Sequence, residues 1–448
     1  MPRVLMGLLF FPRGGSAHVA RNLATALPEA GWQAAILSGS ARPDGDAAAF
    51  YAGLEHHELD MTAALDAPDP MAADPPLHPS YEDRPGAPDR WMASLSDAEL
   101  EHQVATWTDA LRAAGAAEAD VLHLHHLTPL HAAAPRVAPG VPVVGHLHGT
   151  ELLMLEDLEP EHPWRRRLAA WAAGCERLIL LSDSQIERAQ RLLGTDPGRC
   201  TVVANGFDPR TFAPRRLDAG ARAAHWRRHL VDEPRGWRPG GRAGSVRYPA
   251  AQVAEAFAPG RPVILYVGRF TSVKRVGLLI EAHEQARRET GVRAPLVLLG
   301  GFPGEWEGEH PAEAIERTGA RDVFLAGWHG HDELPDFLNA SDAVVLPSVR
   351  EQFGAVLVEG MACGLPAIAV DAHGPAEIVE DGRTGWLVAP DDRDALARAL
   401  QQAAADPDER RRRGEAARAR ALERYAWPAL AGRVAAVYEA ARGGAPRG

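Results

Sequence analysis

Lysine is almost absent from this chain of 448 residues. Of its 48 basic side chains only Lys274 is a lysine, and the other 47 are arginines. Arginine serves wherever positive charge alone is needed, so the shape of the head group best explains the single lysine. A compact, mobile ammonium fits a phosphate oxygen that a planar guanidinium would crowd. On spacing alone, an ordinary surface lysine at the start of a helix explains Lys274 equally well.

Cysteine is also scarce, with three residues far apart and none in CxxC spacing: Cys175, Cys200 and Cys363. This pattern supports neither a disulfide framework nor a zinc site, and it fits a reducing cytoplasm. The formal charge of −12 disfavours nucleic acid as a partner, because its phosphates require a basic face. The apolar run at 4–11 predicts a buried first strand rather than an export signal, and we expect no membrane-spanning segment.

Short apolar runs alternate with helical patterns along most of the chain. Predicted strands lie at 4–11, 33–38, 121–124, 142–147, 177–181 and 200–203, and the pattern restarts at 263–267, 296–299, 323–326, 343–346 and 367–370. This alternation predicts an α/β fold with two doubly wound, Rossmann-like domains. Ligands bind such sheets at the carboxyl ends of the strands, so we expect the site in the cleft between the domains.

The domain boundaries are predicted from changes in composition. We assign 1–212 to a first domain and 263–425 to a second, with a linker and surface insertion rich in Arg, Gly and Pro at 213–262. The remainder, 426–448, contains a final helix, and one option is that this helix crosses back to pack on the first domain. The Pro-rich stretch 66–90 is predicted as a long loop, either functional or disordered. Composition does not indicate an oligomeric state.

Two glycines, Gly14 and Gly15, follow the first strand and open a predicted helix. Without Cβ atoms they let backbone amides and the helix dipole approach an anion. A tight turn explains such a pair equally well. The spacing is not GxGxxG, so an NAD-type site loses support.

Two basic residues follow the first strand of the second domain. Arg269 comes directly after the strand, and Lys274 lies five residues further on. Together they suit a diphosphate, because arginine grips it through a fork of N–H donors while lysine neutralises one oxygen. Such a pair stabilises negative charge on a departing nucleotide.

Two glutamates, Glu351 and Glu359, bracket the segment EQFGAVLVE. On one helix they would lie about 12 Å apart along the axis, whereas the two carboxyl groups of hydrolytic glycosidases are roughly 5 to 9.5 Å apart. We therefore predict two acceptors for an extended ligand, Glu351 for hydroxyls of a sugar ring and Glu359 for a ribose diol. A helix cap or a solvated side chain is the alternative for each.

Four motifs together resemble the retaining nucleotide-sugar glycosyltransferases of family 4, which have the GT-B fold. They are the segment 351–359 with its MACGLP continuation, GRF at 268–270 leading to Lys274, NGFD at 205–208 and GPAEIV at 374–379. The likeness covers nearly the whole chain. It is closest to the actinobacterial branch with members in the mycothiol and antibiotic pathways.

The resemblance implies a nucleoside diphosphate sugar as donor, bound by the second domain, and a small polar acceptor on the side of the first. It implies no metal and no cofactor. The donor-binding residues it implies are Gly14, Gly15, Arg269, Lys274, Glu351, Phe353, Gly354, Leu357 and Glu359. Backbone amides near Phe353, Gly354 and Leu357 are expected to face the phosphates. Gln352 and Ala355 depart from the proline or glycine and the larger apolar residue usual in the family, which leaves the donor sugar open.

Histidine is dense where two strands of the first domain end, in HLHH at 123–126 and HLH at 146–148. A metal cluster is one alternative, although HExxH spacing is missing and the family needs no metal. In the family the residue matching His148 lies beside the anomeric region of the donor sugar. His125, His126 and Thr128 are expected to face the acceptor, and a structural role is the alternative for each histidine.

Two acidic motifs, at 391–394 and 406–408, could be mistaken for the metal-binding DxD of the other glycosyltransferase fold. Each precedes an apolar-periodic helix, so we predict helix N-caps instead. A different acidic pair, Glu82 and Asp83, lies in a loop rich in polyol-binding groups and suggests a cationic acceptor such as an aminocyclitol.

The predicted function is that of a cytoplasmic, retaining, metal-independent glycosyltransferase of specialised metabolism. His148, Arg269, Lys274 and Glu351 are its expected catalytic residues, and we favour a front-face displacement. A nucleotide-sugar epimerase of the same fold and a non-catalytic nucleotide-sugar-binding protein are the alternatives. A phosphorylase would need a pyridoxal-binding lysine, and Lys274 is already assigned to the phosphates.

Overall fold

The computed structural model describes residues 1–11, 15–41, 46–83, 87–291, 293–351 and 353–443, with the backbone alone for residues 10 and 11. The chain forms two compact units. Unit 1 comprises Met1–Asn205 and Trp427–Gly448, and unit 2 comprises Gly206–Ala426. No helix in the described ranges is both long and apolar enough to cross a membrane.

Unit 1 is built on a parallel sheet of seven strands in the order β3-β2-β1-β4-β5-β6-β7. Its strands are β1 (Arg3–Phe11), β2 (Gln33–Ser40), β3 (Glu55–Asp60), β4 (Val121–His125), β5 (Val143–His146), β6 (Arg177–Leu180) and β7 (Cys200–Val202). Every residue of β4 is buried, because helices cover both faces of a parallel sheet. Two edge strands were not among the predicted ones: β3, whose EHHELD composition lacks an apolar run, and β13 (Gly385–Val388) of the second sheet.

The helices of unit 1 lie on both faces of this sheet. They are α1 (Gly15–Ala26), α2 (Ala47–Phe50), α3 (Asp97–Ala113), α4 (Leu130–Val137), α5 (Thr150–Asp157), α6 (Pro163–Gly174), α7 (Asp183–Leu193) and α17 (Trp427–Arg442). The last helix joins the core of unit 1, where Tyr438 packs edge-on against Trp32 at 4.8 Å between ring centroids. The loop predicted at 66–90 buries Met71 and Leu77 in the same unit.

Unit 2 is built on a parallel sheet of six strands in the order β10-β9-β8-β11-β12-β13. Its strands are β8 (Ile264–Val267), β9 (Leu296–Leu299), β10 (Val323–Gly327), β11 (Ala343–Leu346), β12 (Ala367–Val370) and β13 (Gly385–Val388). Its helices are α8 (Ala219–Arg227), α9 (Ala250–Ala256), α10 (Val276–Thr290), α11 (Pro311–Thr318), α12 (Leu334–Asn339), α13 (Ala355–Ala362), α14 (His373–Ile378), α15 (Arg393–Ala405) and α16 (Pro407–Tyr425).

Residues 213–262 correct the expected linker, because they belong to the core of unit 2. Trp226 and Trp237 in this stretch are almost completely buried. The indole Nε1 of Trp237 donates to the carbonyl oxygen of Gly301 at 3.0 Å, and the amide of Leu325 donates to the hydroxyl of Tyr248 at 2.8 Å. Few apolar residues are needed here, because each tryptophan buries a large area.

Both sheets reverse their strand order next to their first strand. In unit 1 the reversal lies between β1 and β4, and in unit 2 it lies between β8 and β11. The loops that leave two such neighbouring strands turn to opposite faces of the sheet, which opens a crevice at the carboxyl edge. The residues that follow these four strands are therefore the first place to look for a binding site in each unit.

Candidate functional site

Lys274 and Glu351 meet at the carboxyl edge of β8 and β11, the neighbouring strands of the reversal in unit 2. The amide of Val349 donates to the carbonyl oxygen of Val273 at 3.0 Å, which fastens the loop after β11 to the turn that carries Lys274. The ammonium of Lys274 forms an ion pair with Oε2 of Glu351. Their side chains are 18% and 19% exposed, so the pair is largely shielded yet reachable from solvent.

Helix α13 begins beside this ion pair. Gly354 precedes it with a φ of 94°, in the left-handed region, and no described side chain caps the helix. The amide of Leu357 donates to the carbonyl oxygen of Gly354 at 2.9 Å, so this predicted phosphate-facing amide is already engaged within the first turn. The other first-turn amides and the positive end of the helix dipole remain suited to an anion. Phe353 is buried before this start.

The position of Glu351 corrects one assumption of the sequence analysis. A single helix was assumed to carry both glutamates, whereas α13 begins at Ala355 and leaves Glu351 in the preceding loop. The axial spacing of about 12 Å, which holds for residues on one helix, therefore does not apply. Glu359, on α13, is buried and its Oε1 lies 2.8 Å from Nε2 of His331 in the loop after β10. No motif in the sequence indicates this role for His331.

Arg269 lies exposed after β8. The hydroxyl of Tyr266 donates to its carbonyl oxygen at 2.8 Å, which holds the turn. Burial, together with the nearby carboxylate of Glu351, raises the pKa of Tyr266. The guanidinium has no ion-pair partner in the part of unit 2 that the structure describes, so it is available to a ligand.

Two exposed aromatic side chains follow the next strands of the same sheet. Phe302 lies after β9 and Trp328 after β10, with 54% and 52% of their surfaces exposed. Their ring centroids are 6.1 Å apart and the rings meet edge to face. Large apolar rings normally become buried, so such a pair at the carboxyl edge offers a surface for a flat ring.

In unit 1, four imidazole rings stack toward the carboxyl ends of β4 and β5, those of His123, His125, His146 and His148. The strand register pairs His125 with His146. Nε2 of His123 lies 3.2 Å from Nδ1 of His146, and Nδ1 of His125 lies 2.9 Å from Nε2 of His148. Burial lowers the pKa of all four, that of His123 to about 3, so the rings are neutral at pH 7. Nδ1 of His123 is also 2.6 Å from the hydroxyl of Tyr438 on α17.

A buried carboxylate, Glu151, organises the loop that carries His148. Its Oε1 accepts the amide of His148 at 2.9 Å, and its Oε2 lies 3.2 Å from Nδ1 of His126. Burial would raise the pKa of Glu151, but the contact with His126 and the backbone hydrogen bonds outweigh it and lower the pKa. A glutamate in the first turn of a helix is ordinarily explained by the helix dipole, so the sequence does not indicate this role for Glu151.

The predicted acceptor residues differ in accessibility. The side chain of His126 is 18% exposed, whereas His125 and Thr128 are completely buried, so any effect of theirs on an acceptor passes through their neighbours. Glu82 and Asp83 are exposed. They follow Tyr81, whose hydroxyl donates to the carbonyl oxygen of Leu127 at 2.5 Å and whose ring centroid lies 5.6 Å from that of His126.

Gly15 is the first residue of α1. A Cβ atom there would meet no other atom within 4 Å, so nothing in the described protein requires glycine at this position. Gly14 lies outside the described residues.

The two acidic motifs act as helix caps, which confirms that prediction. The carboxylate of Asp392 accepts the amide of Ala395 at 2.8 Å and begins α15. That of Asp406 accepts the amides of Asp408 and Glu409 at 3.0 Å and begins α16.

Two doubly wound units, each built on a parallel sheet, are the architecture of the GT-B class of proteins. Comparison of sequences makes this specific. Residues 249–420 match the family described as Glycosyl transferases group 1, and residues 13–211 match Glycosyltransferase Family 4. The chain belongs to this glycosyltransferase family, and the predicted fold class and family resemblance are confirmed.

Curated relatives agree with the assignment. The chain is 30% identical over 367 residues, 78% of each chain, to D-inositol 3-phosphate glycosyltransferase of Kribbella flavida. It is 29% identical over 392 residues to the enzyme of the same name from Streptomyces coelicolor, covering 82% of this chain and 80% of the relative. Alpha-D-kanosaminyltransferase of Streptomyces kanamyceticus is 33% identical over 179 residues, 40% of this chain and 45% of that one.

Solved structures share the fold across nearly the whole chain. Anabaena HepE in complex with UDP and glucose matches 97% of this chain and 99% of its own, with a TM-score of 0.65 at 19% identity. A glycosyltransferase from Rickettsia africae matches 99% of each chain with a TM-score of 0.69 at 15% identity.

Proposed function

We propose that the protein transfers a sugar, with retention of its anomeric configuration, from a nucleoside diphosphate sugar to a small polar acceptor. The observation that carries the proposal is the shielded ion pair of Lys274 and Glu351, which lies at the strand reversal of unit 2 beside the uncapped start of α13. A cation, a helix dipole and a hydroxyl-binding carboxylate are thereby combined at one edge. The proposal includes no catalytic metal and no organic cofactor.

The diphosphate is assigned to the cations and to the start of α13. The ammonium of Lys274 has three donors, and the ion pair with Glu351 leaves two of them for phosphate oxygens. Arg269 adds a fork of donors from its exposed position after β8. Positive groups that are already in place stabilise the charge on the departing nucleotide without reorganising during the reaction.

The ends of the donor are assigned to the two glutamates and to the aromatic pair. The ion pair engages Oε2 of Glu351, which leaves Oε1 for a sugar hydroxyl. His331 engages Oε1 of Glu359, which leaves Oε2 for the ribose diol. Phe302 and Trp328 offer a surface to the planar base. The relative HepE was solved in complex with UDP and glucose, which supports this class of donor.

Unit 1 is assigned the acceptor. The family resemblance assigns His148 to the donor sugar, and the contacts of its ring with His125 and of its amide with Glu151 would hold it there. His126, Glu82 and Asp83 are the acceptor residues with exposed polar atoms. The two carboxylates favour a cationic acceptor such as an aminocyclitol over a phosphorylated one, because like charges repel.

Retention is assigned to a front-face displacement. The bond from the anomeric carbon to the phosphate oxygen breaks, the bond to the acceptor oxygen forms on the same face, and the hydroxyl proton passes to the departing phosphate. Glu151, the carboxylate next to His148, is buried with both oxygens engaged, so it is a poor candidate for a covalent nucleophile.

The test is a panel of UDP-, GDP-, ADP- and dTDP-linked sugars, screened by thermal shift and then assayed for nucleotide release with and without aminocyclitol acceptors. A ligand that binds only the folded protein raises its melting temperature. We expect one nucleotide class to stabilise the protein, acceptor-dependent release, and an α-linked product from an α-linked donor. Binding without release would indicate a non-catalytic protein, and an altered free sugar without acceptor would indicate an epimerase. Cytoplasmic location stays a prediction.

A further inference from the structure

A second group of histidines lies in unit 2, apart from Lys274 and Glu351. His225 is near the end of α8, and His229 follows in the π-helical turn Arg228–Asp232. His329 and Glu333 lie in the loop between β10 and α12. One potential ligand atom from each of His229, His329 and Glu333 lies within 4.8 Å of the other two.

Three imidazole nitrogens in this group have no hydrogen-bond partner although they are buried. They are Nδ1 of His229, Nε2 of His225 and Nε2 of His329. Because Nδ1 of His329 is the nitrogen beside Glu333, only the first two nitrogens bear on an ion shared with that carboxylate. A buried polar atom without a partner is costly and requires an explanation, of which a bound ion is one.

Glu333 is oriented toward the histidines by its own contacts. Its Oε2 accepts from the guanidinium of Arg235 at 2.9 Å and from the amide of Gly330 at 3.2 Å. Its Oε1 lies 3.1 Å from Nδ1 of His329. Outer contacts of this kind fix the direction of a metal-binding carboxylate. Two ligands of one tetrahedral zinc ion lie roughly 3.3 Å apart, so this spacing is already close to that of a site.

We infer that His229, His329 and Glu333 bind one divalent transition-metal ion, with zinc the best match to two imidazoles and a carboxylate. Small rotations of the side chains bring the three ligand atoms together, and His225 or water completes the tetrahedron. The ion joins the turn 228–232 to the loop 328–333, which also carries His331 to Glu359. Its role is structural, and the site revises the expectation that the chain holds no metal.

The histidine stack of unit 1 is a weaker site, although His123, His125 and His146 are also close together. Both nitrogens of His123 are engaged, by Tyr438 and by His146. The group contains no carboxylate to offset the charge of an ion, whereas the group in unit 2 contains Glu333. In unit 2, simple packing of the imidazoles around Phe337 is the competing explanation.

The test uses the full-length protein, stripped with a chelator, reconstituted with zinc or cobalt(II), and desalted. We expect about one ion per chain, a higher melting temperature with zinc, and cobalt absorption bands of tetrahedral nitrogen and oxygen ligation. The double variant His229→Gln/His329→Gln should lose affinity at least about tenfold, which is the lower end of what even an outer contact contributes. His331→Gln, in the same loop, is the matched control and should retain the ion.

Failure of the wild type to retain an ion would overturn the inference and leave the packing explanation. Unchanged affinity in the double variant, or loss of the ion in His125→Gln alone, would also overturn it, the latter by moving the site to unit 1. If the double variant does not fold, Glu333→Gln decides, because it keeps both rings: altered cobalt bands support the site and unaltered bands contradict it. None of these measurements depends on the proposed transfer reaction.

Discussion

Replacing Lys274 with alanine should damage catalysis far more than stability. The ion pair with Glu351 is shielded, with 18% and 19% of the side chains exposed. Its loss should therefore cost about 1–2 kcal/mol, between the roughly 0–1 kcal/mol of surface pairs and the roughly 3–5 kcal/mol of buried ones. A domain stable by about 5–15 kcal/mol survives this. Removing one preorganised donor to a developing charge lowers kcat by about 10²–10³.

The assay measures kcat and KM by nucleotide release and unfolding by circular dichroism. Arg275→Ala is the matched control, because its guanidinium forms an ion pair with Asp391 at the surface, 2.5 Å from Nε to Oδ1, outside the proposed site. Lys274→Ala/Glu351→Gln should recover part of the lost stability, since no unpaired carboxylate remains, but none of the lost activity. A kcat of Lys274→Ala within about threefold of the wild type would refute the reasoning, because loss of one such donor should cost at least about a hundredfold.

Three further predictions concern other parts of the structure. Gly354→Ala should lower stability by about 1–2 kcal/mol, because a left-handed φ is strained for alanine and its Cβ would lie 3.2 Å from Cδ1 of Leu357. The KM for the donor should also rise. An unchanged melting temperature would contradict the predicted loss of stability. Tyr438→Phe should lower the free energy of unfolding by about 1–3 kcal/mol, because it leaves Nδ1 of the buried His123 unpaired. A denaturant titration of the full-length protein measures this loss. Stability should also fall as the pH falls from about 6.5 toward 4, because burial lowers the pKa of His123 to about 3 and that of His131 to about 4 in the folded protein, from 6.5 when unfolded. Only the unfolded chain gains protons in this range, so each contributes up to about 1.4 kcal/mol per pH unit; a melting temperature that rises between pH 7 and pH 5 would oppose it.

Strands that consist of uninterrupted apolar runs, such as LVLL at β9 and AVVL at β11, could be predicted from sequence, whereas the short GWLV of β13 was not. Strand β3 could not, since a polar edge strand depends on pairing with β2. Residues 213–262 were misjudged because a few large rings, Trp226 and Trp237 among them, replace the usual number of small apolar residues.

The residues of the candidate site were easier to predict than their partners. Lys274 and Glu351 were both identified, but their pairing depends on β8 and β11 being neighbours, which motif spacing does not reveal. The metal site inferred in unit 2 carried two signals, His225 with His229 and His329 with Glu333, each pair four residues apart. The first pair drew no attention because its helix lay in the predicted linker.

The most direct measurement is a crystal structure with the nucleoside diphosphate that the thermal-shift panel selects. The account predicts a phosphate oxygen about 2.7–2.9 Å from Nζ of Lys274, the spacing of charge-assisted hydrogen bonds, with further phosphate contacts from Arg269 and the first-turn amides of α13. A diphosphate bound elsewhere, with Lys274 contacting only Glu351, would contradict it.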